Sequence, residues 1–145
     1  MIVQQILKSK DSDAVVTVSS DTPVSEAARI LAEKRIGTVV ISDDNGATAA
    51  GILSERDIVR ELANSGGGCL TRAVSDYMTR ELVTCTREQS ADAALQMMTD
   101  GRFRHMPVVE DGKLVGLITL GDVVKARLSQ LAMEKDALEG MIMGH

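Results

Sequence analysis

Aromatic side chains are almost absent from this sequence. Its 145 residues include one tyrosine, one phenylalanine and no tryptophan, so a core must be built from Val, Ile, Leu, Met and Ala. Proteins that bind single-stranded nucleic acid without sequence preference stack the bases on aromatic rings. The sequence offers no such platform, and its formal net charge of −5 disfavours partners such as nucleic acid or an anionic membrane surface.

Long apolar runs and paired cysteines are also lacking. No segment approaches the roughly 20 apolar residues that a membrane-spanning helix needs, and residues 1–8 lack the pattern of a secretory signal. The two cysteines, Cys69 and Cys85, and the two histidines, His105 and His145, show no metal-ligand spacing. We therefore expect a cytoplasmic protein without a metal site. A disulfide between the cysteines stays open at this point.

An internal repeat organises the chain. Residues 102–122 read as a basic turn, a short strand, an Asp-Gly turn, a return strand and the start of a helix. Residues 35–57 show the same order with a hairpin loop that is two residues longer, around Asn45. Repetition of this kind indicates that the fold is built from two similar units.

Each copy is predicted to contain a strand, a helix, a β-hairpin and a second helix. A unit of this size buries too little surface to be stable alone. We therefore predict an α/β (α+β) fold in which two β-α-β-β-α units pack with pseudo-twofold symmetry and leave two related clefts. The predicted regions are an N-terminal helix and loop (1–14), a first unit (15–64), a linker (65–81), a second unit (82–128) and a C-terminal helical extension (129–145).

Local patterns give the expected elements. Thr22 followed by Pro23 predicts a helix N-cap with Pro at the first helical position. Residues 65–68, Ser-Gly-Gly-Gly, predict a flexible linker. The other predictions are strands at 15–18, 39–41, 49–53 and 82–85, and helices at 1–8, 22–34, 55–64, 70–78, 89–100 and for about 20 residues from Gly121.

The last predicted helix has an apolar stripe that one small unit cannot cover. The stripe indicates a partner subunit. Its members are Val123, Val124, Leu128, Leu131, Ala132, Leu138 and Met141.

A hydroxyl residue and a carboxylate recur three positions apart where the last helix of each copy begins. They are Ser54 and Asp57 in the first copy, and Thr119 and Asp122 in the second. A carboxylate can accept hydrogen bonds from both hydroxyls of a ribose, and the N–H groups of a new helix favour an anion. The alternative is a capping box, but that motif has Glu or Gln at its last position, and Asp is short for the reach back. This shortness slightly favours ligand contact.

The doubled pattern resembles a tandem pair of CBS domains, also called a Bateman module. The resemblance covers residues 15–62 and 82–128, and residues 74–79 are similar to the connector common in such pairs. Modules of this family commonly bind adenosine-containing ligands, regulate an enzyme or transporter, and dimerise into a flat disc of four units. The resemblance implies a stand-alone module for AMP, ADP, ATP or NAD(H), with S-adenosylmethionine as a less favoured ligand and no catalytic cofactor.

For the second copy, the resemblance implies a nucleotide site around the start of the last helix. Thr119, Gly121 and Asp122 would contact the ribose or phosphate, and Arg104 and His105 would face the phosphate. The alternative for Arg104 and His105 is a solvated turn. The residues expected to line the rest of this cleft are Val16, Leu82 and Leu117. Lys10 or Asp11, and Met78, are expected to touch the ligands as linker residues.

For the first copy, the resemblance implies a second site around Ser54 and Asp57. Gly37 and Thr38 stand where the second copy has Arg104 and His105, so this cleft lacks the cation and is expected to hold phosphorylated ligands less tightly. Arg35 and Arg102 either compensate or lie on the surface. The other expected contacts are Val15, Val83, Ile52 and Met78, and core packing is the alternative for these and the other apolar residues.

The sequence therefore favours a regulatory sensor that binds an adenosine-containing nucleotide, AMP-like or NAD(H), and signals occupancy to an unknown partner protein. It is expected to form a homodimer through the last helix. The alternative is a dimeric interaction or structural protein whose clefts are vestigial. A nucleotide-metabolising enzyme is a weaker third hypothesis, because no nucleophile lies beside a plausible base, and we predict no enzymatic activity.

Overall fold

A computed structural model describes residues 1–10 and 15–143 of the chain. Asp11, His145 and most of the expected loop at 9–13 lie outside the described residues. Two 3-10 helices, Gly66–Thr71 and Val74–Asp76, connect the two copies. The α-helices and strands are α1 (Val3–Ser9), β1 (Thr17–Val18), α2 (Val24–Lys34), β2 (Thr38–Ile41), β3 (Gly51–Ser54), α3 (Glu55–Ser65), α4 (Ala91–Gly101), β4 (His105–Glu110), β5 (Lys113–Thr119) and α5 (Leu120–Ile142).

The described residues group into two compact units. The first-copy unit contains residues 15–83 and 109–115, and the second-copy unit contains residues 1–10, 84–108 and 116–143. Helix α1 therefore belongs to the second-copy unit. Helices and small sheets alternate along the chain, so the predicted mixed α/β class is confirmed.

The first-copy unit is built on a three-stranded sheet in the order β1-β2-β3. Strand β1 runs parallel to β2, and β2 pairs antiparallel with β3 in the register Val40 to Ile52. All four residues of β2 are buried. Helix α2 covers the sheet with Val24, Ala27 and Leu31, which recur at helical spacing and belong to one apolar cluster.

The second-copy unit packs α1, α4 and α5 around residues of a β-hairpin. The hairpin joins β4 to β5 through Asp111 and Gly112, whose φ angles of 50° and 77° suit the two-residue turn that the Asp-Gly pair predicts. The largest fully buried side chains of this unit are Val3, Ile6, Met98, Met106, Val108 and Ile118.

Two glycines at matching positions of the repeat are each in close contact with a bulky side chain. A Cβ on Gly51 would lie 2.6 Å from Met78 Sδ, and a Cβ on Gly116 would lie 2.8 Å from Leu7 Cδ2. Each contact lies within its own unit. Helix α1 therefore packs on the second copy as the connector that carries Met78 packs on the first.

Several local predictions were wrong. Residues 82–84 form no strand, because only Cys85 is bridged to β4, through Val108. Thr22 does not cap α2, since Pro23 is the N-cap residue and the first helical N–H, of Val24, bonds to the carbonyl of Arg72 at 2.9 Å.

The connection between the copies also differs from its prediction. Helix α3 extends to Ser65, and the glycine run forms the 3-10 helix Gly66–Thr71, which holds Cys69 in a buried position, instead of a flexible linker. The expected helix at 70–78 is reduced to the 3-10 turn Val74–Asp76. Cys69 and Cys85 are both buried thiols that form no disulfide with each other.

Helix α5 is 23 residues long, which confirms the predicted long last helix. Val123 and Ala126 are buried near its start, whereas Leu128, Leu138 and Met141 are 63%, 59% and 77% exposed. The apolar stripe therefore continues onto the surface of the chain. None of the helices in residues 1–10 and 15–143 is both long and apolar enough to cross a membrane.

Candidate functional site

Reciprocal caps form where α3 and α5 begin. At α5, Thr119 Oγ1 accepts a hydrogen bond from Asp122 N at 3.1 Å, and Asp122 Oδ2 accepts one from Thr119 N at 2.9 Å. At α3, Ser54 Oγ and Asp57 Oδ2 accept the matching bonds at 3.2 and 2.9 Å. The expectation that Asp is too short for this motif was wrong, because helical side chains tilt toward the N-terminus and shorten the reach.

The capping alternative is therefore confirmed in both copies, and it does not remove the ability of the acids to bind a ligand. A carboxylate offers about four acceptor positions. The cap uses one of these at each aspartate. Ligand contact by Asp57 and Asp122 stays a prediction, now for side chains whose positions are fixed by the helix start.

Lys10 supplies the counter-ion of Asp122. Its Nζ lies 2.8 Å from Asp122 Oδ2 and also donates to the carbonyl of Leu117 at 3.0 Å. The two charged side chains are 26% and 23% exposed, so the ion pair is half-buried. The sequence indicates Lys10 as a ligand neighbour but not as a partner of Asp122, which lies 112 residues further along the chain.

The charge state of Asp122 follows from these contacts. Partial burial works against the ionised form, but the hydrogen bonds from Lys10 and Thr119 and the Lys10 charge together hold the pKa of the Asp122 carboxyl below its ordinary value. At neutral pH this side chain is therefore an ionised, acceptor-only group, which is what recognition of ribose hydroxyls needs.

Asp57 has a different environment. Its nearest cation is Arg60 on the same helix, with Nη1 3.4 Å from Oδ1, and the arginine side chain is 67% exposed. The Ser54 hydroxyl also donates to Asp57 Oδ2 at 2.9 Å. An exposed pair of this kind is weak, so the two sites share the cap and differ in the cation.

A cavity of about 430 Å³ lies beside Asp122 within the second-copy unit. Its walls come from the last turn of α1, with Ser9 and Lys10, and from α5, with Asp122, Lys125 and Ser129. Lys125 and Ser129 were not among the residues predicted from the sequence. Their positions three and seven residues after Asp122 place them along one helix face, and this spacing could have revealed them.

The other predicted residues of the second-copy site fall into two groups. Arg104 is exposed, and its carbonyl accepts a 2.8 Å bond from Leu120 N, which places the start of β4 beside the start of α5. His105 is half-buried at the first position of β4, and Gly121 is exposed in the first turn of α5. Their contact with a ligand stays a prediction.

Val16 and Leu82 lie in the first-copy unit, whereas Leu117 and Asp122 lie in the second. Val16 continues the sheet beyond β1 by accepting a 3.0 Å bond from Val40 N, and Leu82 lies outside any strand. Their role in a cleft with Asp122 stays a prediction.

The structure places two predicted contacts of the first copy in its core. Thr38 is 5% exposed, and its hydroxyl donates to the carbonyl of Leu53 at 3.0 Å. Met78 is 8% exposed and packs on Gly51. Both side chains therefore pack in the core of the first-copy unit, and their contact with a ligand stays a prediction.

The remaining first-copy predictions lie at or near the sheet. Ile52 is half-buried in β3 and bridges to Thr79 through its backbone, and Val15 is half-buried just before β1. Val83 is 43% exposed and belongs to no strand. Arg35 and Arg102 end α2 and α4 in the left-handed conformation, with φ of 55° and 56°, and both are exposed.

Comparison with known proteins agrees with the duplicated fold. A CBS-domain family model matches residues 6–64 and 74–129. The CBS domain-containing protein CBSX3, mitochondrial, of Arabidopsis thaliana is 32% identical over 148 residues, which cover 98% of this chain and 72% of that protein. The crystal structure of the CBS-domain protein ATU1752 from Agrobacterium tumefaciens is similar with a TM-score of 0.82 and 42% identity, covering 88% of this chain and 99% of that one.

Two similar structures contain ligands. The CBS-domain protein PAE2072 from Pyrobaculum aerophilum, complexed with AMP, has a TM-score of 0.78 and 26% identity, covering 92% of this chain and 99% of that one. The CBS-domain pair of MJ0100, in complex with 5′-methylthioadenosine and S-adenosyl-L-methionine, has a TM-score of 0.78 and 27% identity, covering 90% and 98%. The matches span both copies of the repeat, and this chain belongs to the CBS-domain family, with one CBS domain in each copy.

Proposed function

We propose that this protein is a regulatory module that binds an adenosine-containing nucleotide, AMP-like or NAD(H), and reports its occupancy to a partner protein. The observation that carries the proposal is the half-buried, ionised Asp122 at the start of α5, fixed by Thr119 and paired with Lys10. The ligands in PAE2072 and MJ0100, which are AMP, 5′-methylthioadenosine and S-adenosylmethionine, all contain adenosine and support this ligand class.

The chemistry of the site fits the parts of such a ligand. Asp122 has acceptor capacity left for ribose hydroxyls, because its cap and its ion pair both use Oδ2. The positive end of the α5 helix dipole favours a phosphate, while the N–H groups of Leu120 and Asp122 are already bonded to the Arg104 carbonyl and to Thr119 Oγ1. Ribose and phosphate are therefore the two groups that this end of α5 is suited to bind.

Signalling would follow from differential affinity, since a ligand shifts a conformational equilibrium only when it binds one arrangement more tightly. We propose that this activity belongs to a cytoplasmic homodimer in which the exposed part of α5 contacts the other subunit. The protein would then act on another protein and catalyse no reaction itself.

The test is a thermal shift with AMP, ATP, NADH and S-adenosylmethionine on wild type and Asp122→Asn. Asn keeps the shape of the side chain but removes the charge. Ligand at about 100 times its Kd adds about 2.7 kcal/mol of stability, so at least one ligand should raise Tm by several degrees in wild type. Asp57→Asn makes the matched change at the other cap and measures how much of the shift comes from the predicted first-copy site. A shift that is absent in wild type, or unchanged by Asp122→Asn, would contradict the proposal.

A second candidate function, an interaction or structural protein, is favoured by the exposed apolar residues of α5. Leu128, Met133 and Met141 are each more than 60% exposed. If this surface alone were the function, Leu128→Lys would dissociate the dimer and no adenosine compound would change Tm. Light scattering of wild type and Leu128→Lys tests the dimer that both candidates share, and the response of Tm to adenosine compounds separates them.

A further inference from the structure

Lys125 is a cation in the cavity beside Asp122, and the cap and ion pair at the start of α5 do not use it. Among residues 1–10 and 15–143, no carboxylate lies within ion-pair distance of Lys125. Asp122, the acid one turn earlier on α5, is already paired with Lys10. Lys125 is exposed and lines the cavity, and its charge has no ion-pair partner within the described part of the chain.

The first copy shows what happens when the equivalent of Lys10 is missing. When the two copies are aligned on Asp57 and Asp122, Arg60 stands at the position of Lys125. When the two packed segments are aligned on Met78 and Leu7, Glu81 stands at the position of Lys10. An acid thus stands where the second copy has the cation that neutralises Asp122. In the first copy Arg60 itself approaches the aspartate, at 3.4 Å. The Lys10–Asp122 pair is therefore what leaves Lys125 available.

We infer that the cavity between α1 and α5 is a phosphate-binding subsite in which Lys125 is the counter-ion for a phosphate of the nucleotide. This inference rests on the proposed function, because the ribose of the same ligand would be bound by Asp122. Asp122 and Lys125 are three residues apart, which is about 4.5 Å along the helix axis, a spacing that suits the ribose and the phosphate of one nucleotide.

The walls of the cavity suit a phosphate. Ser129 can donate a hydroxyl hydrogen bond, whereas the Ser9 hydroxyl already donates to the carbonyl of Ile6 at 2.8 Å. Lys10 cancels the charge of the nearby Asp122. A volume of about 430 Å³ falls in the range of ordinary small-molecule sites, so more than one phosphate can enter. The inferred ligand class is a nucleotide, in preference to an uncharged nucleoside.

The test is isothermal titration of adenosine, AMP and ATP into wild type, Lys125→Ala, Lys125→Arg and Arg60→Ala. Loss of one charge-assisted contact should weaken AMP and ATP by about tenfold in Lys125→Ala. Adenosine should be unaffected, and Lys125→Arg should restore most of the affinity. Arg60→Ala is the control at the equivalent position and should leave this site unchanged.

The outcomes separate the subsite from the proposed function. If adenosine binding depends on Asp122 but Lys125→Ala leaves AMP and ATP unchanged, the subsite is wrong and the proposed function stands. The same conclusion follows if Arg104→Ala, and not Lys125→Ala, removes the preference for phosphorylated ligands. If wild type binds inorganic tripolyphosphate in a Lys125-dependent way but no nucleoside, the subsite stands alone. If wild type binds none of these compounds, both are wrong.

Discussion

The starts of α3 and α5 carry the same cap but different counter-ions. Ser54 with Asp57, and Thr119 with Asp122, make the same pair of reciprocal bonds. Asp122 is neutralised by Lys10 at the end of α1, whereas Asp57 is paired with the exposed Arg60 of its own helix. The repeat thus provides a helix cap in both copies. The segment packed on each copy, α1 or the connector, decides the charge beside it.

The packing of those two segments gives the largest expected effect. Gly51→Ala should destabilise by about 2–3 kcal/mol, an overpacking cost, because its Cβ would lie 2.9 Å from the rigid carbonyl of Thr79 as well as against Met78. Gly116→Ala should cost about 1 kcal/mol, since only the flexible end of Leu7 is too close. Urea unfolding measures the loss of unfolding free energy in both variants. Equal losses would show that the two glycines do not differ in how tightly they are packed.

Removal of the caps comes next. Asp57→Ala should lower the free energy of unfolding by about 1 kcal/mol, as the loss of a helix cap does. Asp122→Ala should cost about 2 kcal/mol, because it also leaves the half-buried ammonium of Lys10 without its acid. Denaturant midpoints measure both. A larger cost at Asp57 than at Asp122 would show that the Lys10 contact contributes nothing.

Helix ends where the two copies agree should respond alike. Arg35 and Arg102 both adopt the left-handed conformation, which favours glycine, so Arg35→Gly and Arg102→Gly should each stabilise by up to about 1 kcal/mol. Thermal melts of the two variants provide the check. If only one variant were stabilised, the arginine side chain of the other copy would make a stabilising contact that glycine removes.

The smallest effect is in pH dependence. Burial raises the pKa of Asp122 in the folded state, but the contacts with Lys10 and Thr119 lower it by more. The stabilisation by this carboxylate is therefore present above the pKa of the unfolded state and is lost as the pH falls through the pKa of the folded state. Lys10→Met should therefore be less stable than wild type at pH 7, by under about 1 kcal/mol. The difference should vanish at acid pH. A difference that is the same at pH 7 and pH 3 would exclude the ion pair as its cause.

Periodicity and turn chemistry predicted most of the fold. The Asp111-Gly112 turn and the long α5 follow from local residues, and each was confirmed. The predictions of a strand at 82–85 and of a flexible glycine linker were wrong. Whether an apolar or glycine-rich stretch becomes a strand or a 3-10 helix depends on which backbone groups it meets, and those partners are distant in the sequence.

The candidate site was predictable in part. The repeat indicated Ser54, Asp57, Thr119 and Asp122 because two copies of a motif are visible in one sequence. The Lys10 contact was not, since nothing local joins residues 112 positions apart. The burial of Thr38 was not predictable either, because its hydroxyl donates to the carbonyl of Leu53 across the hairpin.

The most direct test of the central claim is a crystal structure of the protein with AMP. The account predicts a ribose hydroxyl oxygen within about 2.5–3.0 Å of the Asp122 carboxylate, with the Thr119 cap intact. AMP bound elsewhere, or an Asp122 that keeps only its contacts to Thr119 and Lys10 while AMP is present at saturating concentration, would contradict it.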